Sequence, residues 1–395
     1  MKKTLIALGI LAALPSLACS SEITIYGKVD VGLAFTHIDP GIDGVDSESK
    51  LSMMSGQTAG SRVGLKGFED LGNGNKVGFI LENGFNVDTG TMGQNNRLFG
   101  RQALLFVEGS YGNIKFGKMG ALTSGYPSTG LFGGNMSPFA VGLGEVAGHR
   151  YLYSTEDLLP MDNTITYATP SWAGWQVMLQ YSMGMDGSTG TENESTVDRY
   201  MAAGLHFDNK NTEFNLVVDS TNFRSYGEGA HDDPDDGLRV TVGVRHGLGF
   251  MTLYAGGQYF KDSRSFVQDA NQFYTGIGSH TQREINIDGT PTKVDSFLSN
   301  EDAKDGFGLN LGLDYPALGG TWKAQVGYMD AEFSDDSSKK MKRWFVSAGY
   351  WYDFSKRTTL YSGVSYIRDK VEGGNYDYFD DASCIAASLG IVHNF

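Results

Sequence analysis

From Glu22 to Thr36 the chain alternates strictly. Ile23, Ile25, Val29, Val31, Leu33 and Phe35 take the odd positions, and Glu22, Thr24, Tyr26, Lys28, Asp30 and Thr36 the even ones. Successive side chains of a β-strand point to opposite faces, so period-two alternation of this length specifies a ribbon with one apolar and one polar side. Such a run is long for a strand of a soluble sandwich. It suits a tilted strand crossing a bilayer, where the sides are reversed: apolar residues face acyl chains and polar ones face water in a lumen.

The pattern returns near 51–68, 76–87, 98–108, 113–119, 160–169, 175–183, 199–208, 213–223, 238–247, 250–260, 305–314, 321–330, 342–352, 358–368 and 382–395, which with the first segment makes about sixteen strands. Tight connections such as Glu69-Asp70-Leu71-Gly72-Asn73-Gly74 and Asp353-Phe354-Ser355-Lys356 alternate with long polar ones at 37–50, 120–150, 184–198, 224–237 and 261–304. Short turns on one side and long loops on the other predict an all-β fold, a transmembrane antiparallel β-barrel. An open edge would leave N–H and C=O groups unsatisfied in hydrocarbon at several kcal/mol each, so the first and last strands are expected to pair.

The start of the chain carries a different signal. Met1-Lys2-Lys3, an apolar run from Leu5 to Leu17, and small residues at Ser16 and Ala18 read as a signal peptide over 1–18, leaving 19–395 as the barrel. Removing Lys2 and Lys3 takes the formal charge from −15 to −17. So acidic an exported chain, with no basic block, excludes nucleic acid as a partner. Cys19 and Cys384 fall near opposite rims of neighbouring strands, roughly 35 Å apart at ~3.3 Å per residue, so no disulfide is expected between them. The run Ser16-Leu17-Ala18-Cys19 departs from a lipoprotein box at Ser16 and leaves lipidation of Cys19 open.

Several motifs, in order, carry a resemblance. They are Ile23-Thr24-Ile25-Tyr26-Gly27 with Asp30; Ser61-Arg62-Val63-Gly64-Leu65-Lys66-Gly67 followed by Glu69-Asp70-Leu71-Gly72; Gly100-Arg101-Gln102-Ala103; Asn163-Thr164-Ile165-Thr166-Tyr167-Ala168; and the terminal His393-Asn394-Phe395. In these the chain resembles the Gram-negative general porins, particularly the β-proteobacterial branch. The resemblance implies a water-filled outer-membrane channel for passive diffusion of small hydrophilic solutes and ions, assembled as a homotrimer, with the third long loop of each barrel folded into the lumen. Geometry asks for the same infolding, since sixteen strands ~4.8 Å apart and tilted about 40° enclose a cylinder roughly 30 Å across, too wide to sieve small solutes. Residues 120–150, glycine-rich and carrying Tyr126, Pro127, Phe132, Pro138 and Phe139, have the composition of such a segment.

Period two puts Arg62 and Lys66 on the lumen face, and Lys28 on the polar side of the first strand joins them. Arg101 is the family-matched companion, although it shares parity with Ala103, Leu105 and Val107. Arg150 and Glu145, the one acid between 120 and 150, complete the expected pore constriction, where facing charges orient solutes and set ion preference. Thr166 and Ser137-Pro138-Phe139 stand where relatives often carry a constriction arginine and an aspartate, which weakens the expected field. The closing strand ends on Phe395, a terminal aromatic of the kind read as an address by the barrel-assembly machinery.

A substrate-selective channel is the nearest alternative, differing by an aromatic or charged track in the lumen. The acidic loop run Asp232-Asp233-Pro234-Asp235-Asp236 suits a solvated loop facing lipopolysaccharide, and a calcium site there is the sharper reading. None of the seven histidines sits in a motif around a nucleophile, so no enzyme is expected, and no cofactor or structural metal. Gly72-Asn73-Gly74 lacks the following helix of a phosphate loop and reads as a turn.

Overall fold

The computed structural model describes residues 22–39, 41, 46–133, 136–140, 143, 152–154, 160–185, 192–225, 235–264, 283–287, 290–294, 302–373 and 382–395. The signal segment 1–18, Cys19, Glu145 and Arg150 lie outside them. The described strands are β1 (Glu22–Asp39), β2 (Glu48–Ser55), β3 (Arg62–Gly72), β4 (Asn75–Gly84), β5 (Gln102–Gly109) and β6 (Gly112–Met119). They continue with β7 (Met161–Ala168), β8 (Trp175–Ser182), β9 (Arg199–Asp208), β10 (Thr212–Asn222), β11 (Gly237–Gly247) and β12 (Thr252–Ser263). A separate hairpin, β13 (Arg283–Ile287) with β14 (Thr290–Val294), sits within the long insertion, and β15 (Lys304–Ala317), β16 (Gly320–Phe333), β17 (Lys340–Asp353), β18 (Thr358–Glu372) and β19 (Ala382–Asn394) complete the sheet.

Every pairing in the main sheet is antiparallel, most of them between sequence neighbours, and the sheet closes on itself where Lys28 to Asp39 of β1 pair with Asn394 to Ser383 of β19. Sixteen staves result, because β2 and β3 share one: both lie along the same edge of β1, β2 opposite Val31 to Ile38 and β3 opposite Glu22 to Lys28. Closure leaves no strand edge to be satisfied in hydrocarbon.

Sequence alternation near 51–68 predicts one continuous strand; the structure breaks it. Between the pairs Val31–Ser55 and Lys28–Arg62, β1 moves three residues while its partner moves seven, so four residues of 56–61 are extra. The surplus is even, so Leu51, Met53, Val63 and Leu65 keep one parity and all face outward, exposed. Period-two reading is blind to an even insertion, which is why the break is silent in the sequence.

The exposed apolar side chains are the lipid face: Leu309, Leu311, Val326, Val346, Val364 and Leu389 are examples, each about half exposed. The buried cluster lies inside the barrel, built from the third long loop, with Leu122, Phe132, Met136, Phe139, Leu143 and Leu152 at its centre. The expected infolding of that loop is observed. It runs along the wall from β8 to β18. Leu122 N–H donates to Gln180 Oε1 at 3.0 Å, Asn215 Nδ2 donates to the Leu131 carbonyl at 2.7 Å, and Ser137 Oγ donates to Gln325 Oε1 at 2.7 Å. On the return, Ser154 N–H donates to Gln258 Oε1 at 2.8 Å.

The wall makes room by omitting side chains. A methyl group at lumen-facing Gly243 would lie 3.1 Å from Phe132 and one at Gly312 would lie 2.5 Å from Pro138, while at Gly327 and Gly363 it would collide with Leu152 and Leu143. Close backbone approach requires glycine at these points, and removing side chains lets the apolar residues of the loop pack at interior density.

Candidate functional site

The apolar part of the infolded loop covers the lumen wall from β8 round to β18, while β1 and β3 to β6 are met by the Tyr126–Ser128 part of that loop and by residues 56–61. On this second wall the charged residues collect. Lys28 and Arg62 are direct cross-strand partners on β1 and β3, both facing the lumen. Two cations placed opposite one another repel, and such a pair persists where a counter-charge or a function holds it.

The counter-charge is Glu82, buried on β4. Its Oε1 accepts from Arg101 Nε at 2.7 Å, its Oε2 accepts from the Tyr26 hydroxyl at 2.9 Å, and Arg62 Nε stands 3.7 Å from the same Oε2. Arg101 lies just before β5, so the parity it shares with Ala103 and Leu105 does not bind it, and its guanidinium turns inward over the Tyr126 ring, 4.9 Å from the centroid. Tyr126 and Ser128 bring the loop to the cluster: Ser128 Oγ donates to Gln102 Oε1, and Lys115 Nζ donates to the Ser128 carbonyl. Burial pushes the Tyr126 phenol above its ordinary pKa, so it faces the arginines as a neutral ring.

The sequence places Arg62, Lys28 and Arg101 on the lumen, and these come together. Lys66 does not join them. It stands four residues along β3 toward the short-turn side, roughly 13 Å at ~3.3 Å per residue, with Nζ 5.5 Å from the Tyr26 ring centroid. Glu82 escapes the sequence reading, which seeks the acid on the loop at Glu145; its even parity with Lys76 on the fourth strand is the available signal. A second group, Arg97 and Lys118 around Asp162 at 2.6 and 2.8 Å, escapes it too. Thr166, where the resemblance implied a constriction arginine, is buried and accepts from Gln180 Nε2 at 2.9 Å, acting as wall rather than as a charge.

Arg62 and Arg101 converge on the carboxylate of Glu82 and Lys28 beside them has Asp30 as its acidic neighbour, so three cations and two carboxylates leave one positive charge in excess where the loop meets the wall. An infolded segment inside the barrel and a cluster of charge beside it are the two elements from which a channel can narrow its passage and act on ions. A family model described as Gram-negative porin matches residues 4–372.

The chain belongs to the Gram-negative porins.

It forms a channel for passive diffusion in the Gram-negative outer membrane. Among its relatives, an outer membrane porin protein of Bordetella pertussis is 30% identical over the whole of both chains. Outer membrane porin protein 32 of Delftia acidovorans is 26% identical over 94% of this chain and 90% of its own. Among solved structures, an anion-selective porin from Comamonas acidovorans superposes with a TM-score of 0.63 at 21% identity, covering 95% of this chain and all of the other. The trimer form of OmpT of Vibrio cholerae, an outer membrane protein, gives 0.61 at 13% identity over 95% and 99%. At these identities the two structures speak to the fold. This porin therefore has the closed barrel of its family, and its constriction chemistry must be argued from its own side chains.

Proposed function

We propose that the porin favours anions, and that Lys28, Arg62 and Arg101, balanced in part by Glu82, form the constriction that sets this preference. The observation that carries the reading is stoichiometric: three cations, Lys28, Arg62 and Arg101, stand against two carboxylates, Glu82 and Asp30, beside the infolded loop. A mobile anion completes the charge balance as it passes, whereas a cation meets an unfavourable field. The Comamonas acidovorans porin, named as anion-selective, has the same fold and supports the direction. Arg97 and Lys118, which share Asp162, extend the field toward the long-loop mouth, and Lys66 and Lys115 extend it toward the short-turn mouth.

The test is planar-bilayer conductance under a salt gradient. The parent is expected to show a reversal potential of the anion-selective sign, and Arg62→Ala with Arg101→Ala to move it toward zero. An unmoved potential overturns the constriction.

A trimer is supported by the outer surface. Tyrosine and tryptophan anchor a barrel at the lipid headgroups, and outward-facing Tyr181, Tyr259, Trp322, Tyr328, Trp344 and Tyr366 do so on β8 to β18. The outward faces of β1 to β5 carry neither residue; their middle stretches are aliphatic with Phe35 and Phe79 among them, and Ile23 and Ile25 are about two-thirds exposed. A face without headgroup anchors suits protein contact. Leu65→Arg there is expected to release folded monomers on native electrophoresis; an intact trimer would place the contact elsewhere. Phe395, whose backbone pairs with Gly27 at 3.0 and 3.1 Å, is read as the terminal signal for the barrel-assembly machinery, and the acidic outer loops as the surface that meets lipopolysaccharide. No catalytic role is assigned.

A further inference from the structure

The break between β2 and β3 places a second segment in the lumen, and one residue holds it there. Asp30 is fully buried on the lumen side of β1. Its Oδ2 accepts from Thr58 N–H at 2.8 Å, from Ala59 N–H at 3.1 Å and from the Thr58 hydroxyl; its Oδ1 accepts from the Tyr361 hydroxyl of β18 at 2.6 Å. The Asp30 backbone is engaged as well. Its N–H donates to Ser61 Oγ at 3.0 Å, and its carbonyl accepts from Gly56 N–H at 2.8 Å and Ser61 Oγ at 3.1 Å. Every donor to the carboxylate is neutral. A buried carboxylate satisfied by such donors strands its charge if they leave, so residues 56–61 are held in one position.

That position matters because of what 56–61 touches. Arg62 Nη1 donates to the Gly60 carbonyl at 3.2 Å, and a methyl group at Gly60 would lie 2.8 Å from Arg101 Nη1. Gln57 lies over Gly32, where a methyl group would meet its Nε2 at 2.5 Å, so the segment continues on β1 the inner shelf that the third loop ends at Gly363. Occupied by Gly60, Arg62 stays 3.7 Å from Glu82 Oε2 instead of closing on it, and its charge remains available to the passage.

We propose that Asp30 is the positioning residue of the constriction: through Thr58, Ala59 and Tyr361 it fixes an inward segment that keeps Arg62 and Arg101 spread apart in the pore. The proposal rests on the constriction reading. Released from Gly60, Arg62 would close on Glu82 as a tight ion pair, and the field presented to a passing ion would weaken with no change in formal charge.

The experiment compares reversal potentials in a potassium chloride gradient, with trimer thermal stability measured alongside. In the charge-neutral pair Thr58→Val with Tyr361→Phe, the chloride-to-potassium permeability ratio is expected to fall about twofold. In Asp30→Asn it should fall as well. Deletion of a negative charge by itself would raise the ratio, so the sign separates positioning from bulk electrostatics. An unchanged ratio in the neutral pair, or a raised one in Asp30→Asn, overturns the proposal. Should Asp30→Asn fail to assemble, the neutral pair decides alone. If Arg62→Ala with Arg101→Ala leaves the parent potential unmoved, it is the constriction reading that fails; if that variant shifts the potential and the Asp30 set does not, positioning fails by itself.

Discussion

The two halves of the lumen treat charge in opposite ways. On the wall covered by the infolded loop, Arg343 and Arg239 are each matched by one carboxylate and removed from water: Arg343 Nε and Nη2 grip the two oxygens of Asp369 at 2.7 and 2.8 Å, and Arg239 reaches Asp219 Oδ2 at 2.6 Å, with both pairs essentially inaccessible. On the opposite wall, Lys28, Arg62 and Arg101 outnumber Glu82 and Asp30, and the Arg62 side chain stays partly exposed. The same residue types thus build structure on one side and, in the proposed constriction, a filter on the other. What separates the roles is stoichiometry together with access to solvent, since a buried excess charge would cost far more than a hydrated one.

The difference can be broken first on the structural side. Arg343→Met leaves the Asp369 carboxylate buried without its bidentate partner and is expected to destabilise the folded barrel by roughly 3–5 kcal/mol. Heat-modifiable electrophoresis or denaturant unfolding in lipid would read the loss, with the ion preference of surviving channels unchanged. A smaller effect should follow from filling the shelf. Gly312→Val overpacks against Pro138 and costs about 1–3 kcal/mol, and where the barrel still assembles, displacement of the loop should raise single-channel conductance. Stability lost with conductance unmoved would show that the loop does not narrow the passage.

On the filter side the expected outcomes are changes in selectivity at nearly constant stability. Glu82→Gln keeps the shape of the site, removes the carboxylate that Arg62 and Arg101 share and should raise the chloride-to-potassium ratio; a lowered ratio would mean that Glu82 acts chiefly by holding the arginines in place. Lys66→Gln should have the smallest effect, a minor change in conductance at low ionic strength that vanishes above about 1 M salt, where screening falls to roughly 3 Å. A shift as large as that of Arg62→Ala would place Lys66 in the constriction after all.

The sequence by itself determined the barrel. Alternation from Ile23 to Phe35 and its recurrences fix which side chains meet lipid, and the unpairable edges of such ribbons demand closure, because both follow from backbone geometry that every residue shares. It also put Lys28 and Arg62 on the water side, since parity is local. What it could not supply is whatever depends on residues distant in the chain. The even insertion at 56–61 preserves parity and leaves no trace in the pattern. Arg101 escapes its apparent parity by lying one residue outside β5. Glu82 becomes the counter-charge through its contacts with Tyr26, Arg62 and Arg101 on neighbouring strands, and Asp30 meets Tyr361 across the seam that closes the barrel. Those contacts are set by register and by the path of a loop across the lumen, which are decided when the sheet closes.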